Sequence, residues 1–283
     1  MPTLRLSAGE IDYSDSGGGG PVLVLLHGVT MDGGIWDDVV AALGPGFRCI
    51  APTLPLGSHR RPMERTDLVT HRGVAAMVGE LLEALDLHQV TLVLNDWGGA
   101  QFLLADGPNE RIAGAALVAC EAFDNFPPGR PGKAVTTAAR VPGLLWLSMQ
   151  LHRTGWFRRA PGAWGWMSKQ PVPDAVMDRW FAPARLDAGV RRDLRAFALS
   201  TPSSAELVGL TQRLRSFDGP VLVVWAVEDK LMPREHGHRL AALFDHGRLV
   251  EVDDSYTLVP VDQPDALAAE LGRFVTAEVT VGR

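Results

Sequence analysis

Cysteine, tyrosine and net positive charge are all scarce in this sequence, and long apolar runs are absent. The only two cysteines, Cys49 and Cys120, both lie in strand-like apolar stretches, which favours reduced, buried thiols over a disulfide framework or a thiolate metal site. Lysine and arginine total 27 against 33 aspartate and glutamate, for a net charge of −6 and a pI near 5.7. No basic field is available to hold nucleic acid or an anionic lipid surface, so neither partner is expected. No segment approaches the roughly 20 apolar residues that cross a bilayer, and residues 1–10 lack the basic start and apolar block of a secretory signal. A cytoplasmic protein with a small-molecule partner is the expectation; the sequence carries no mark of oligomeric state. Tyrosine is limited to Tyr13 and Tyr256, and none of the eight histidines follows His246.

What is present is an ordinary globular composition, 46% hydrophobic and 21% charged, over 283 residues, enough for one large domain with a full core. Apolar strands are expected at 21–27, 47–51, 89–95, 112–119, 221–226 and 247–252. Helical periodicity falls between them at 35–43, 68–85, 97–106, 234–244 and 265–275. Near-continuous apolar strands alternating with helices predict an α/β fold with a doubly wound, mostly parallel sheet. Residues 4–15 alternate in polarity and predict an antiparallel edge hairpin. The glycine run 17–20 precedes a strand, so it reads as a hairpin exit and not as a phosphate loop.

Residues 123–201 break the pattern. They are rich in proline, glycine and arginine, helical in period, and carry Trp146, Trp156, Trp164, Trp166 and Trp180. They read as a helical cap inserted between two halves of a core, 1–122 and 202–283. The insertion closes where Ser203 and Glu206 offer a capping box for the next helix. A cap in that place roofs the C-terminal edge of the sheet, where open α/β folds bind ligands. The tryptophans either line an apolar pocket there or pack cap against core.

The most informative stretch is Asn95-Asp96-Trp97-Gly98-Gly99 after the strand at 89–95. It resembles a nucleophile elbow, a sharp strand-to-helix turn, with aspartate in place of serine. His27-Gly28-Val29 after the first parallel strand, Glu228-Asp229 after strand 221–226, and the segment 254–264 complete a series of landmarks. In this order the chain resembles the alpha/beta-hydrolase superfamily over nearly its full length outside the cap, and the Asp-Trp elbow is similar to that of haloalkane dehalogenases and epoxide hydrolases. Leu94 and the lack of cap tyrosines favour the dehalogenase-like side.

That resemblance implies a role for each matching residue. Asp96 attacks an alkyl carbon and forms an ester. The backbone N–H groups of Val29 and Trp97 hold the carboxylate and later the oxyanion. The Trp97 indole is a candidate halide donor, with a cap tryptophan as the second. Asp229 is the favoured third triad member, with Glu121 the alternative; for Glu121 a structural role is equally open. No metal or other cofactor is implied. The histidine base, however, is missing: seven residues before Pro264 stands Thr257. His59, on the loop after strand 47–51, is the candidate surrogate, whereas His71, His88 and His152 read as surface residues.

Three enzymatic or binding readings follow. Asp96 serves as nucleophile, with a relocated base or unassisted water for ester hydrolysis. Alternatively it is a general acid or base in a lyase or isomerase, with Tyr256 and Thr257 orienting the substrate. In the third, it is an alkylation trap or part of a ligand-binding pseudoenzyme. Aspartate at the elbow sets a serine esterase aside.

Overall fold

A computed structural model describes residues 1–99, 101–106, 110–161 and 163–279. Eight strands form one sheet: β1 (Thr3–Leu6), β2 (Gly9–Asp15), β3 (Val22–Leu26), β4 (Arg48–Thr53), β5 (Val90–Asp96), β6 (Ile112–Cys120), β7 (Val221–Ala226) and β8 (Gly247–Val252). Their spatial order is β1-β2-β4-β3-β5-β6-β7-β8. The first two form the expected antiparallel hairpin, β2 runs antiparallel to β4, and every later pairing is parallel. The central strands are buried along their whole length in β5 and β7, which is why they read as unbroken apolar runs. Cys49 and Cys120 are free and buried, as expected.

Helices α1 (Asp37–Leu43), α2 (His71–Ala84) and α3 (Gln101–Ala105) follow β3, β4 and β5. Thr70 caps α2 by accepting the Gly73 N–H at 3.0 Å. The elbow helix was expected from residue 97; among the described residues it runs from Gln101, and residue 100 lies outside them. Trp97–Gly99 stay non-helical because Asp96 and Gly99 both take left-handed backbone, with φ of 59° and 73°.

Between β6 and β7 lie α4 (Gly129–Arg140), α5 (Leu144–Leu151), α6 (Gly155–Arg158), α7 (Asp174–Leu186) and α8 (Ala188–Leu199). Next comes α9 (Ser204–Arg213), which opens with the expected capping box between Ser203 and Glu206. The chain ends through α10 (Arg234–Ala241), α11 (Val259–Asp262) and α12 (Pro264–Phe274). Among the described residues no helix is long and apolar enough to cross a membrane.

Buried polar joints fix the inserted helices over the sheet. Asp32, just after β3, accepts from Arg179 Nε at 2.8 Å and from the Trp180 indole at 3.0 Å. Asp262 is the other joint. Its Oδ1 accepts from Ser168 Oγ at 2.7 Å and the Gln170 N–H at 2.8 Å; its Oδ2 accepts the Lys169 and Tyr256 N–H groups, each at 2.9 Å. One carboxylate thus holds the segment before α7 against the loop after β8. Replacing Asp262 with alanine strands three backbone donors, so urea unfolding is expected to show a loss of about 2–4 kcal/mol. A loss below about 1 kcal/mol would mean that the joint carries little of the fold.

Candidate active site

Asp96 ends β5 beneath the inserted helices, with only 4% of its surface exposed. Gly28 is required beside it, because a Cβ there would lie 2.1 Å from Asp96 Oδ2. The backbone N–H groups of Trp97 and Val29 hydrogen-bond the Asp96 carboxyl. Burial outweighs both donors and, reinforced by the charge of Asp229, pushes the carboxyl up to about 7.

Two further carboxyls crowd the same edge. Glu121 follows β6 and accepts the Gly99 N–H at 3.0 Å on Oε1. Burial drives it up to about 8, against those backbone hydrogen bonds. Its contacts tie the elbow backbone to the end of β6, the structural arrangement left open by the sequence. Asp229, after β7, accepts from the Leu231 N–H at 2.8 Å, the Met232 N–H at 3.0 Å and Thr257 Oγ1 at 2.8 Å, all on Oδ1. Burial raises it to about 6, while Oδ2 is buried without a hydrogen-bond partner.

Thr257 sits between the elbow and Asp229. Its carbonyl accepts from Asn95 Nδ2 at 2.9 Å, one residue before Asp96, and its hydroxyl donates to Asp229. Its hydroxyl satisfies one carboxylate oxygen of Asp229 and leaves the other without a partner. Thr257 is fully buried and is not among the residues that wall the cavity above Asp96. Tyr256 is not among them either, and its ring packs beside Lys230.

The Trp97 indole is not free for a leaving halide. Its Nε1–H donates to His71 Nε2 at 2.9 Å, His71 Nδ1 donates to Ser200 Oγ at 2.9 Å, and Ser200 Oγ donates to the Phe197 carbonyl at 2.8 Å. His71 is therefore a buried, neutral acceptor and not a surface residue; burial holds it down at about 3. The chain of donors runs from the elbow to the end of α8.

Nor does His59 reach the pocket. Its Nδ1 accepts the Gly57 N–H at 3.3 Å and its Nε2 faces Asp193 Oδ2 at 3.3 Å, so both ring nitrogens are used in bracing the loop after β4 against α8. His27 is likewise consumed by the Gly28 carbonyl and the Leu54 N–H, and its burial lowers it to about 4.

A cavity of about 50 Å³ opens above Asp96, walled by Val29, Thr30, Trp97, Val135, Trp164 and Leu231 among others. Trp164 is thus the tryptophan of the inserted helices that reaches this site. Trp180 instead bonds Asp32, while Trp146 and Trp156 are 50% and 71% exposed. Thr30 and Leu231 were not singled out from sequence, although both adjoin landmarks that were. Among the described residues no cluster of His, Cys, Asp and Glu is arranged to hold a metal ion.

Comparison with known proteins gives a consistent result. The profile described as the alpha/beta hydrolase family matches residues 23–270. The chain is 27% identical over 273 residues to haloalkane dehalogenase 2 of Mycobacterium tuberculosis, covering 94% of this chain and 91% of that one. It is 24% identical over 285 residues to the cis-3-alkyl-4-alkyloxetan-2-one decarboxylase of Xanthomonas campestris, with 94% and 92% covered. A crystal structure of a putative ancestral haloalkane dehalogenase superposes with a TM-score of 0.77 at 20% identity, covering 98% of each chain.

The carboxyl cluster makes stability depend on pH in an unusual direction. Asp96, Glu121 and Asp229 are all raised above their unfolded values, so their contribution is full below about pH 4 and is lost as pH rises through about 6 to 8. Asp96→Asn is expected to raise Tm by a few degrees at pH 8, with the gain shrinking toward pH 4. A lower Tm for the variant at pH 8 in thermal scans would contradict the assignment.

Proposed function

Because this chain belongs to the alpha/beta hydrolase family, we propose that it is a haloalkane-dehalogenase-like enzyme in which Asp96 attacks an electrophilic carbon of a small apolar molecule. The observation that carries this reading is the Asp96 carboxyl itself, held on a left-handed elbow residue, bonded by the Val29 and Trp97 N–H groups and facing an apolar cavity.

In the first step an Asp96 oxygen forms a bond to carbon while the leaving group departs with the bonding pair. The Val29 and Trp97 N–H groups stabilise the remaining ester oxygen and, later, an oxyanion at that position. Water must then attack the ester carbonyl, which calls for a base with a near-neutral pKa. Thr257 stands where that base belongs, and a threonine hydroxyl does not take up a proton at pH 7. Loss of such a base slows the step by about 10²- to 10⁴-fold. The alkyl ester therefore accumulates. With the Trp97 N–H engaged by His71, good leaving groups such as bromide and iodide are favoured over chloride.

A second reading is favoured by the position of Asp96 near 7: a lyase in which Asp96 works as a general acid or base and no ester is hydrolysed. The similarity to a decarboxylase over most of the chain points the same way.

The nucleophilic reading and the general-acid form of the second differ in the sign of their pH dependence. A nucleophilic Asp96 must be ionised, so its reaction rate with a bromoalkane rises about tenfold per pH unit below about 7 and levels off above it. A rate that instead falls above pH 7 would favour the general-acid reading. Released bromide is expected to stop near one equivalent per protein, and Thr257→His, which gives Asp229 Oδ2 an N–H partner, should turn that single burst into continuing release. Steady multiple turnover by the unaltered protein would contradict the impaired hydrolytic step.

A further inference from the structure

The cavity above Asp96, at about 50 Å³, is the smaller of two neighbouring spaces. A second cavity of about 240 Å³ adjoins it beneath the inserted helices. Thr30, Pro131, Val135 and Trp164 wall both, so the two spaces lie side by side. A substrate with its reacting carbon at Asp96 and a chain too long for the inner space would extend past these shared walls into the outer one.

The outer chamber is mostly apolar, with Met149, Phe157 and Phe181 among its walls. Ser148 and His152 are its polar side chains at one end, four residues apart on the same face of α5 and the turn that follows it. His152 is buried, with 7% of its surface exposed, and its ring stacks on Phe181 at 4.0 Å between centroids. Its Nδ1 lies 2.7 Å from the Ser148 carbonyl, which can only accept, so the proton sits on Nδ1 and Nε2 carries a lone pair. Among the described residues that Nε2 has no hydrogen-bond partner, and it is not among the fully sealed polar atoms.

We propose that His152 Nε2 forms a second subsite, accepting a hydrogen bond from a hydroxyl at the far end of an alkyl chain whose electrophilic carbon lies at Asp96. The assignment of the reacting end rests on the function proposed above; the hydroxyl subsite rests on the outer chamber alone. The apolar walls take the methylene chain, and His152 Nε2 accepts a hydrogen bond from the hydroxyl. Burial holds His152 at about 4, so it is neutral and an acceptor at neutral pH. The favoured substrate class is an ω-hydroxyalkyl electrophile over a plain alkyl one.

The test is calorimetric and needs no reaction. The intact protein is titrated with 1-hexanol and with methyl pentyl ether, which have the same number of heavy atoms but differ in hydrogen-bond donation. The alcohol is expected to bind about fivefold more tightly, the worth of one net hydrogen bond. His152→Phe should abolish that preference, His152→Gln should retain part of it through its amide oxygen, and Ala134→Phe should block both ligands. Equal binding of alcohol and ether by the unaltered protein overturns the proposal, as does binding of neither, or a preference that survives His152→Phe. Because Asp96 chemistry is not used, an alcohol preference without any alkyl adduct would sink the proposed reaction and leave the subsite standing. The converse pair of results would do the reverse.

Discussion

The site is governed by the burial of three carboxyl groups at the C-terminal edge of one sheet. Asp96, Glu121 and Asp229 are each displaced upward by desolvation, against the pull of backbone N–H donors. Much of the surrounding architecture can be understood as containing that cost. Gly28 lets the β3 turn approach the Asp96 carboxyl, the Gly99 N–H satisfies Glu121, and the Leu231 and Met232 N–H groups satisfy one oxygen of Asp229. The oxygen left over, Asp229 Oδ2, marks the place where the charge arrangement is incomplete.

That incompleteness shapes the chemistry. A carboxylate nucleophile and its N–H donors can capture an electrophilic carbon without a base, whereas releasing the product requires water to lose a proton. In the proposed reaction, the threonine at position 257 leaves the first half intact and weakens the second. The Trp97–His71–Ser200 chain adds a second restriction, since the indole proton that would face a departing anion is spent inside the protein. On that proposal, both features favour substrates with intrinsically reactive carbon.

The sheet was legible because parallel strands buried on both faces leave continuous apolar runs, and strands 221–226 and 247–252 match their sequence bounds. The elbow was legible because its turn is encoded within five residues. Contacts between distant segments were not. His71 reads as a surface residue, and only the fold brings it to Trp97, 26 positions away. His59 reads as a loop histidine at the catalytic edge, yet Asp193, 134 positions away, claims it. Five tryptophans in a proline-broken insertion share one composition, and the packing of short helices alone decides that Trp164 reaches the pocket while Trp156 faces solvent.

The central claim is that a covalent bond forms at Asp96 and persists. The most direct measurement is intact mass after exposure to 1-bromohexane, followed by peptide mapping of the modified protein, with Asp96→Ala treated in parallel. The account predicts one added hexyl group, located on the peptide carrying Asp96 and absent from the variant. An unmodified protein, or a hexyl group found on another residue and retained in Asp96→Ala, would contradict it.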